Sequence, residues 1–133
     1  MRIEGIMDHK LYLKILSRKM LKHARDNLDD DWIFQHDNDP KHKAGKVTEW
    51  FETKGVEVLD WPAQSPDLNP IEHLWEHVDR QIRSKTYRKT DELFDAVVEA
   101  WNSIPDSVIS TLIESMPRRC AAVIAAKGYV TKY

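Results

Sequence analysis

The sequence has little of what marks an exported or membrane-bound protein. Its single cysteine, Cys120, has no partner for an internal disulfide and cannot build a cysteine-rich zinc module, so a reducing, intracellular setting is expected. The longest uninterrupted apolar run, residues 121–126, is too short to cross a bilayer. The first residues contain no apolar stretch that could act as a signal peptide. A secreted, membrane-embedded or disulfide-stapled protein is therefore not expected.

An excess of charge of one sign is also lacking. Twenty Lys and Arg face 22 Asp and Glu, for a net charge of -2, so any contact with DNA or a membrane must come from a local patch. Apolar residues make up 41% and charged residues 32% of the chain, which allows a buried core and excludes a disordered or fibrous chain. With 133 residues and no repeat, low-complexity tract or Ser/Gly linker, the sequence predicts one domain.

Strands alternate with helices in the middle of the chain, which predicts an α/β unit with parallel strands. Residues 32–37 and 56–61 are short, mostly apolar runs typical of buried strands. About five helices are expected from local start and stop signals. They begin at Asp8, near Lys43, at Asn69, at Thr90 and after Pro105, and the last breaks at Pro117. The first carries an apolar stripe of Leu11, Tyr12, Ile15, Leu16 and Met20.

Two carboxylates stand where a metal site is expected. Asp37 ends the first strand, and Glu72 lies in the first turn of the helix that begins at Asn69. In open α/β sheets, ligands bind at the carboxyl ends of strands, and converging carboxylates suit hard cations such as Mg²⁺. Two such ions can support phosphodiester cleavage. Two structural interpretations stay open: Asp37 as an ordinary turn residue, and Glu72 as the partner of Asn69 in a capping box.

Two further patterns allow more than one interpretation. His73-x-x-Glu76-His77 matches a zinc metallopeptidase pattern, but no third ligand is evident, so two exposed histidines on a solvated helix face are the favoured interpretation. Five basic residues without an acidic one follow, namely Arg80, Arg83, Lys85, Arg88 and Lys89. They are either phosphate contacts or a solvated helix end that complements the helix dipole.

Two long blocks give the sequence a family resemblance. The first runs from Trp32 to His42 and reads WIFQHDNDPKH, and the second runs from Trp61 to Trp75 and reads WPAQSPDLNPIEHLW. Between Asp37 and Glu72 lie 34 residues, and the chain ends in GYVTKY. In content, order and spacing these features resemble the C-terminal part of the mariner-type transposases, in particular their Tc-like branch.

The resemblance implies a ribonuclease-H-like α/β fold with three metal-binding carboxylates, of which Asp37 and Glu72 would be the second and third. It implies metal-dependent DNA strand cleavage and strand transfer, with Mg²⁺ or Mn²⁺ in a two-ion arrangement and no small-molecule cofactor. The implied partner is DNA, as transposon ends and target, with a homodimer as a candidate assembly, no membrane, and the nucleus as the place of action. The residues implied to orient the site are Asn38, His42 and Asn69. The residues implied to contact DNA are Lys41 and the five basic residues of 80–89.

The first carboxylate of the family is not expected in this chain. It lies further upstream than the 36 residues before Asp37, and Asp8, Asp26 and residues 29–31 fall in or beside the first helix. Residues 2–7 resemble the tail of the family's third strand. Residues 1–133 are therefore expected to be an N-terminally truncated catalytic domain without the first strands and the N-terminal DNA-binding region, inactive alone. The alternative is a non-catalytic nucleic-acid-binding or protein-interaction module derived from a transposase.

Overall fold

A computed structural model describes all 133 residues, which form two compact units, Met1–Gln64 and Ser65–Tyr133. The first unit contains α1 (His9–Ile15), a π-helical turn (Leu16–Met20), α2 (Leu21–Asn27) and α3 (Gly45–Lys54). The second contains a 3₁₀ turn (Pro66–Leu68), α4 (Pro70–Ile82), α5 (Thr90–Asn102), α6 (Asp106–Glu114) and α7 (Met116–Ala125). No helix in the chain combines the length and the apolar character needed to cross a bilayer.

Most helix ends lie where local signals predict them. The Asp8 side chain accepts a hydrogen bond of 2.8 Å from the backbone N–H of Leu11 and so caps α1. Gly55 ends α3 with φ of 63°, a left-handed conformation that glycine adopts without steric cost. Pro70 occupies the start of α4, and Pro117 lies in the first turn of α7, just after the break between α6 and α7.

The two predicted strands pair in the predicted parallel direction, but over one residue each. Phe34 and Val58 form an isolated parallel bridge, in which the N–H of Phe34 donates to Glu57 and the N–H of Leu59 donates to Phe34, each over 2.8 Å. Neither 32–37 nor 56–61 forms an extended strand, and residues 2–7 form no strand. A two-stranded parallel pair has no neighbouring strands to stabilise it, which accounts for the short pairing.

The core of the first unit packs against a helix in which the π-helical turn shifts the positions that face the core by one residue. The N–H of Leu21 donates to the carbonyl of Leu16, five residues earlier, so one extra residue enters the helix. The sequence stripe predicts Met20 in the core, whereas the structure buries Leu21 and leaves Met20 half-buried. The buried cluster consists of Tyr12, Leu16, Leu21, Val47, Phe51 and Val56.

The second unit is built around α4. Val78 on α4 and Ala100 on α5 are buried, and α4 packs against both α5 and α6. The rings of Trp75 and Trp101 lie 4.9 Å apart at 45°. This packing fixes the helix whose first turn carries Glu72.

Candidate functional site

Asp37 lies in the first unit, three residues after the bridged Phe34, and its side chain is 59% exposed. Nδ1 of His42 donates to Oδ1 of Asp37 over 2.6 Å, and the backbone N–H of Asp39 donates to the same oxygen over 3.1 Å. Both bonds use Oδ1, so Oδ2 is the oxygen that can take a cation. Asp37 is thus both the turn residue of the structural interpretation and an oriented, accessible carboxylate.

Two neighbouring rings hold the histidine that contacts Asp37. The ring centroid of His42 lies 4.2 Å from that of Tyr12 and 5.4 Å from that of His36, and the planes of the stacked rings are inclined by 28° and 12°. The Tyr12 hydroxyl and Nδ1 of His36 share a hydrogen bond of 2.9 Å. The His42 side chain is only 16% exposed, so packing fixes its ring and hence the carboxylate it binds.

The environment favours the uncharged forms of two of these rings. Burial lowers the pKa of His36, and the neighbouring His42 lowers it further. Burial raises the pKa of Tyr12, and the charges of Asp37 and Asp39 add to the rise. The sequence blocks predict the role of His42, whereas the sequence marks Tyr12 only by its place on the apolar stripe of the first helix.

Asn38 joins the ends of the two paired segments. Its Nδ2 donates to the backbone carbonyl of Trp61 over 2.7 Å, while its Oδ1 is buried without a hydrogen-bond partner. A cavity of about 410 Å³ adjoins this position, with His36, Asn38, His42 and Lys43 in its lining. The hydrogen bond to Trp61 fixes the Asn38 side chain, and its orienting role stays a prediction.

Lys41 is engaged inside its own turn. Its Nζ lies 2.9 Å from Oδ2 of Asp39, and its backbone N–H donates to Oδ1 of Asp39 over 2.8 Å. The backbone hydrogen bond has the larger effect and the side-chain bond the smaller one, and both lower the pKa of the Asp39 carboxyl. Lys41, predicted as a DNA contact, thus has a carboxylate partner, which lowers the charge it offers to a phosphate.

Glu72 lies in the second unit, exposed in the first turn of α4. Its backbone N–H donates to the carbonyl of Asn69 over 3.2 Å. The side chain of Asn69 makes no capping hydrogen bond, so the reciprocal capping box of the sequence interpretation does not form. The Glu72 carboxylate is thus presented at the surface by a helix start that Pro70 defines.

A buried polar network, which sequence reasoning missed, lies beside Glu72. Arg119 on α7 is 3% exposed, and its Nη1 donates to Nε2 of His73 over 2.7 Å and to the carbonyl of Asp67 over 2.8 Å. The interpretation of His73 and His77 as exposed histidines is therefore wrong: both are half-buried, and the Nε2 lone pair of His73 faces a guanidinium. The same contact opposes the zinc prediction, because zinc would need that lone pair.

The basic segment at the end of α4 is open to solvent. Its five cations, Arg80, Arg83, Lys85, Arg88 and Lys89, are all exposed. The Nε of Arg80 lies 4.0 Å from Oε1 of Glu76. The segment therefore presents exposed cations on the last turn of α4 and in the turn between α4 and α5. No group of three or more His, Cys, Asp or Glu side chains in the chain is arranged to hold a metal ion.

Comparison with known proteins identifies the family. The family model described as DDE superfamily endonuclease matches residues 1–94, which contain both sequence blocks and the basic segment. The chain belongs to the DDE superfamily endonucleases. Within that superfamily it is similar to the Tcb1 transposase of Caenorhabditis briggsae, at 52% identity, and to the Tc1 transposase of Caenorhabditis elegans, at 50%. Each match extends over 132 residues, 99% of this chain and 48% of the relative.

The fold of this DDE chain matches a solved transposase structure. The catalytic domain of the Mos1 transposase, solved with Raltegravir and Mn, superposes with a TM-score of 0.78 at 24% sequence identity; the Mos1 mariner element comes from Drosophila mauritiana. The match covers 98% of this chain and 68% of the Mos1 domain. The chain thus has the fold of that catalytic domain, in agreement with the ribonuclease-H-like prediction, and spans about half the length of the curated transposases it matches.

Proposed function

We propose that this chain is the part of a DDE transposase catalytic domain that holds two of its three metal-binding carboxylates, Asp37 and Glu72. The proposed reaction is cleavage of a DNA strand and transfer of the freed 3′-hydroxyl to a new site. The observation that carries the proposal is similarity to transposases at about half identity over 132 residues, with the blocks around both carboxylates intact. The nuclear location stays a prediction that follows from action on DNA, and the homodimer stays a prediction from the family resemblance.

The donor atoms at the two proposed positions fit a hard divalent cation. Asp37 has its Oδ1 fixed by His42 and Asp39 and its Oδ2 directed to neither, and Glu72 is an exposed carboxylate. Mg²⁺ and Mn²⁺ prefer carboxylate oxygen and water as ligands, and the Mos1 domain was solved with Mn. When bound, divalent ions would supply activation of the attacking oxygen and stabilisation of the leaving oxygen.

His42 has a defined part in this proposal. Because its ring is stacked on Tyr12 and His36, its Nδ1 holds one oxygen of Asp37 in place and stays off the other. An oriented carboxylate loses less freedom when it binds a cation than a mobile one. The orienting roles of His42, Asn38 and Asn69 are part of this proposal.

Residues outside this chain would supply the first carboxylate. The chain covers 68% of the Mos1 catalytic domain, and its two paired segments form one bridge where a neighbouring strand would complete a sheet. With two of three carboxylates, we expect the chain alone to bind metal weakly and to show little or no nicking of supercoiled plasmid DNA with Mg²⁺ or Mn²⁺. A chimaera that adds the preceding residues of the Tcb1 transposase is expected to nick.

The nicking assay separates the proposal from its alternative. Nicking by the chain alone that is lost in Asp37→Ala would overturn the expectation that it lacks an essential carboxylate. Binding of DNA by the chimaera without any nicking would favour a module kept for DNA or protein interaction. Nicking by the chimaera but not by this chain supports the proposal that the chain is one part of a catalytic domain.

The exposed basic segment predicts DNA binding that depends on salt. Replacing Arg83, Lys85 and Arg88 by Gln is expected to weaken binding to duplexes of any sequence and to lower the slope of log K against log salt by about one unit per lost phosphate contact. Fluorescence anisotropy at several salt concentrations measures both quantities. The control replaces Arg118 and Lys127, two exposed cations elsewhere in the second unit, and its loss is compared per removed charge. An equal loss per charge in the control would remove the segment from the interface.

A further inference from the structure

The buried side chain of Arg119 contacts residues on both sides of Glu72. Its Nη1 donates to the carbonyl of Asp67, in the 3₁₀ turn that leads into α4, and to Nε2 of His73, one residue after Glu72. Its Nε donates to Oγ of Ser115 over 2.7 Å, and that residue is itself buried. One guanidinium from α7 therefore fixes the residues before and after the proposed metal ligand.

The end of the chain closes the same network. The Cζ atom of Arg119 lies 4.9 Å from the ring centroid of Tyr133, a cation–π arrangement. Oγ1 of Thr131 donates to Oδ2 of Asp67 over 2.9 Å. The backbone carbonyl of Asp67 thus binds Arg119 on α7, and its carboxylate binds Thr131 near the end of the chain. Both contacts hold the turn before α4 in place.

A guanidinium suits this task better than an ammonium. Its N–H groups point in fixed directions in one plane, and the geometry serves three acceptors on three segments at once. Burying that charge is costly unless its hydrogen bonds are made. Arg119 is 3% exposed and its three acceptors are neutral, so these hydrogen bonds must offset the cost of burying its charge.

We propose that Arg119 is a positioning residue for Glu72: it fixes the start of α4 by binding Asp67 and His73 on either side of that carboxylate. The proposal rests on the proposed metal-binding role of Glu72. It also assigns the tautomer of His73, since a ring that accepts at Nε2 and is neutral carries its proton on Nδ1. That tautomer provides a spectroscopic signature of the contact.

The test compares Arg119→Met and Arg119→Lys with the wild-type chain by NMR, with Arg118→Met as the matched control because Arg118 is exposed on the same helix. In Arg119→Met, whose side chain has no donor, we expect the His73 ¹⁵N shifts to change to those of a ring protonated at Nε2. We expect amide exchange at Leu68, Asn69 and Glu72 to rise about tenfold or more, since a hydrogen bond to a charged group is lost, with α5 and α6 unchanged. Faster exchange across all helices of the second unit, or an unchanged His73 tautomer, would overturn the proposal.

Thr131→Val serves if Arg119→Met fails to fold. It removes the hydroxyl bond to Asp67 and leaves Arg119 in place, so the same three amides should exchange faster by a smaller factor. Unchanged exchange there would remove the end of the chain from the network.

Mn²⁺ titration separates this inference from the proposed function. Paramagnetic broadening of the Glu72 signal in the Tcb1 chimaera should need about tenfold more Mn²⁺ with Arg119→Lys than without it, the loss expected when a residue behind a metal ligand is changed. Absence of broadening at Glu72 in the unmodified chimaera would refute the metal role of Glu72, whereas the tautomer and exchange results would still decide whether Arg119 fixes α4. Broadening that is equal in both chimaeras would refute the positioning role.

Discussion

Glu72→Gln in the Tcb1 chimaera is expected to lower the rate of DNA nicking by more than about 100-fold, because changing even a residue behind a metal ligand costs about 10- to 100-fold. Glutamine keeps the length and hydrogen-bonding capacity of the side chain but removes the charge that holds a divalent cation. Asp37→Asn is expected to have the same effect. Single-turnover nicking of supercoiled plasmid in Mg²⁺ and in Mn²⁺ measures the rate.

Glu76→Gln is the matched control, since Glu76 is an exposed glutamate one turn further along α4. It should leave the rate within about threefold of the unmodified chimaera, as surface changes away from a site usually have small effects. A Glu72→Gln chimaera that nicks at the unmodified rate, or a strong loss of nicking in Glu76→Gln alone, would contradict the proposed site.

Leu16→Ala is expected to lower the free energy of unfolding of the first unit by about 3 kcal/mol, in the range observed for buried leucines. Leu16 is 1% exposed and belongs to the cluster that joins α1 to α3. The loss has two parts, the lost burial of the side chain and the cavity left behind it. Urea denaturation followed by the fluorescence of the five tryptophans, of which Trp32 and Trp50 pack on that cluster, measures it.

Leu28→Ala is the control for this substitution, because Leu28 is 51% exposed just after α2. It should change the free energy of unfolding by less than about 0.5 kcal/mol. A loss in Leu16→Ala no larger than in Leu28→Ala would mean that the buried cluster does not stabilise the first unit. Since Tyr12 belongs to the same cluster and stacks on His42, loosening it should also free the side chain that orients Asp37.

The sequence predicts this fold best where one residue decides the local backbone. Asp8 caps a helix with its own side chain, Gly55 takes a positive φ, and Pro70 fits the start of a helix. These effects act within one turn of the chain, so a pattern of a few residues contains them. Strands differ, because Phe34 and Val58 need each other and further neighbours to extend their pairing.

The candidate site divides in the same way. Asp37 and Glu72 can be found from the blocks around them, but the side chains that hold their surroundings come from elsewhere in the sequence. Tyr12 meets His36 across 24 residues, and Arg119 meets His73 across 46. No periodicity in α4 signals that the ring of His73 is covered by a guanidinium from α7. The physical reason is that hydrogen bonds between distant segments depend on packing, which single-sequence patterns do not encode.

The π-helical turn gives the first helix one residue more than a regular α-helix needs between its core positions. Leu16 and Leu21 are five residues apart, yet both are buried on the same face. In a regular helix, losing one residue rotates everything beyond it by about 100° and breaks the core. Here, loss of one residue among 17–19 would turn the π-helical turn into an α-helical one and leave both leucines in place. Homologues that are one residue shorter in this stretch can therefore bury the same leucines without a cavity in the core or compensating substitutions.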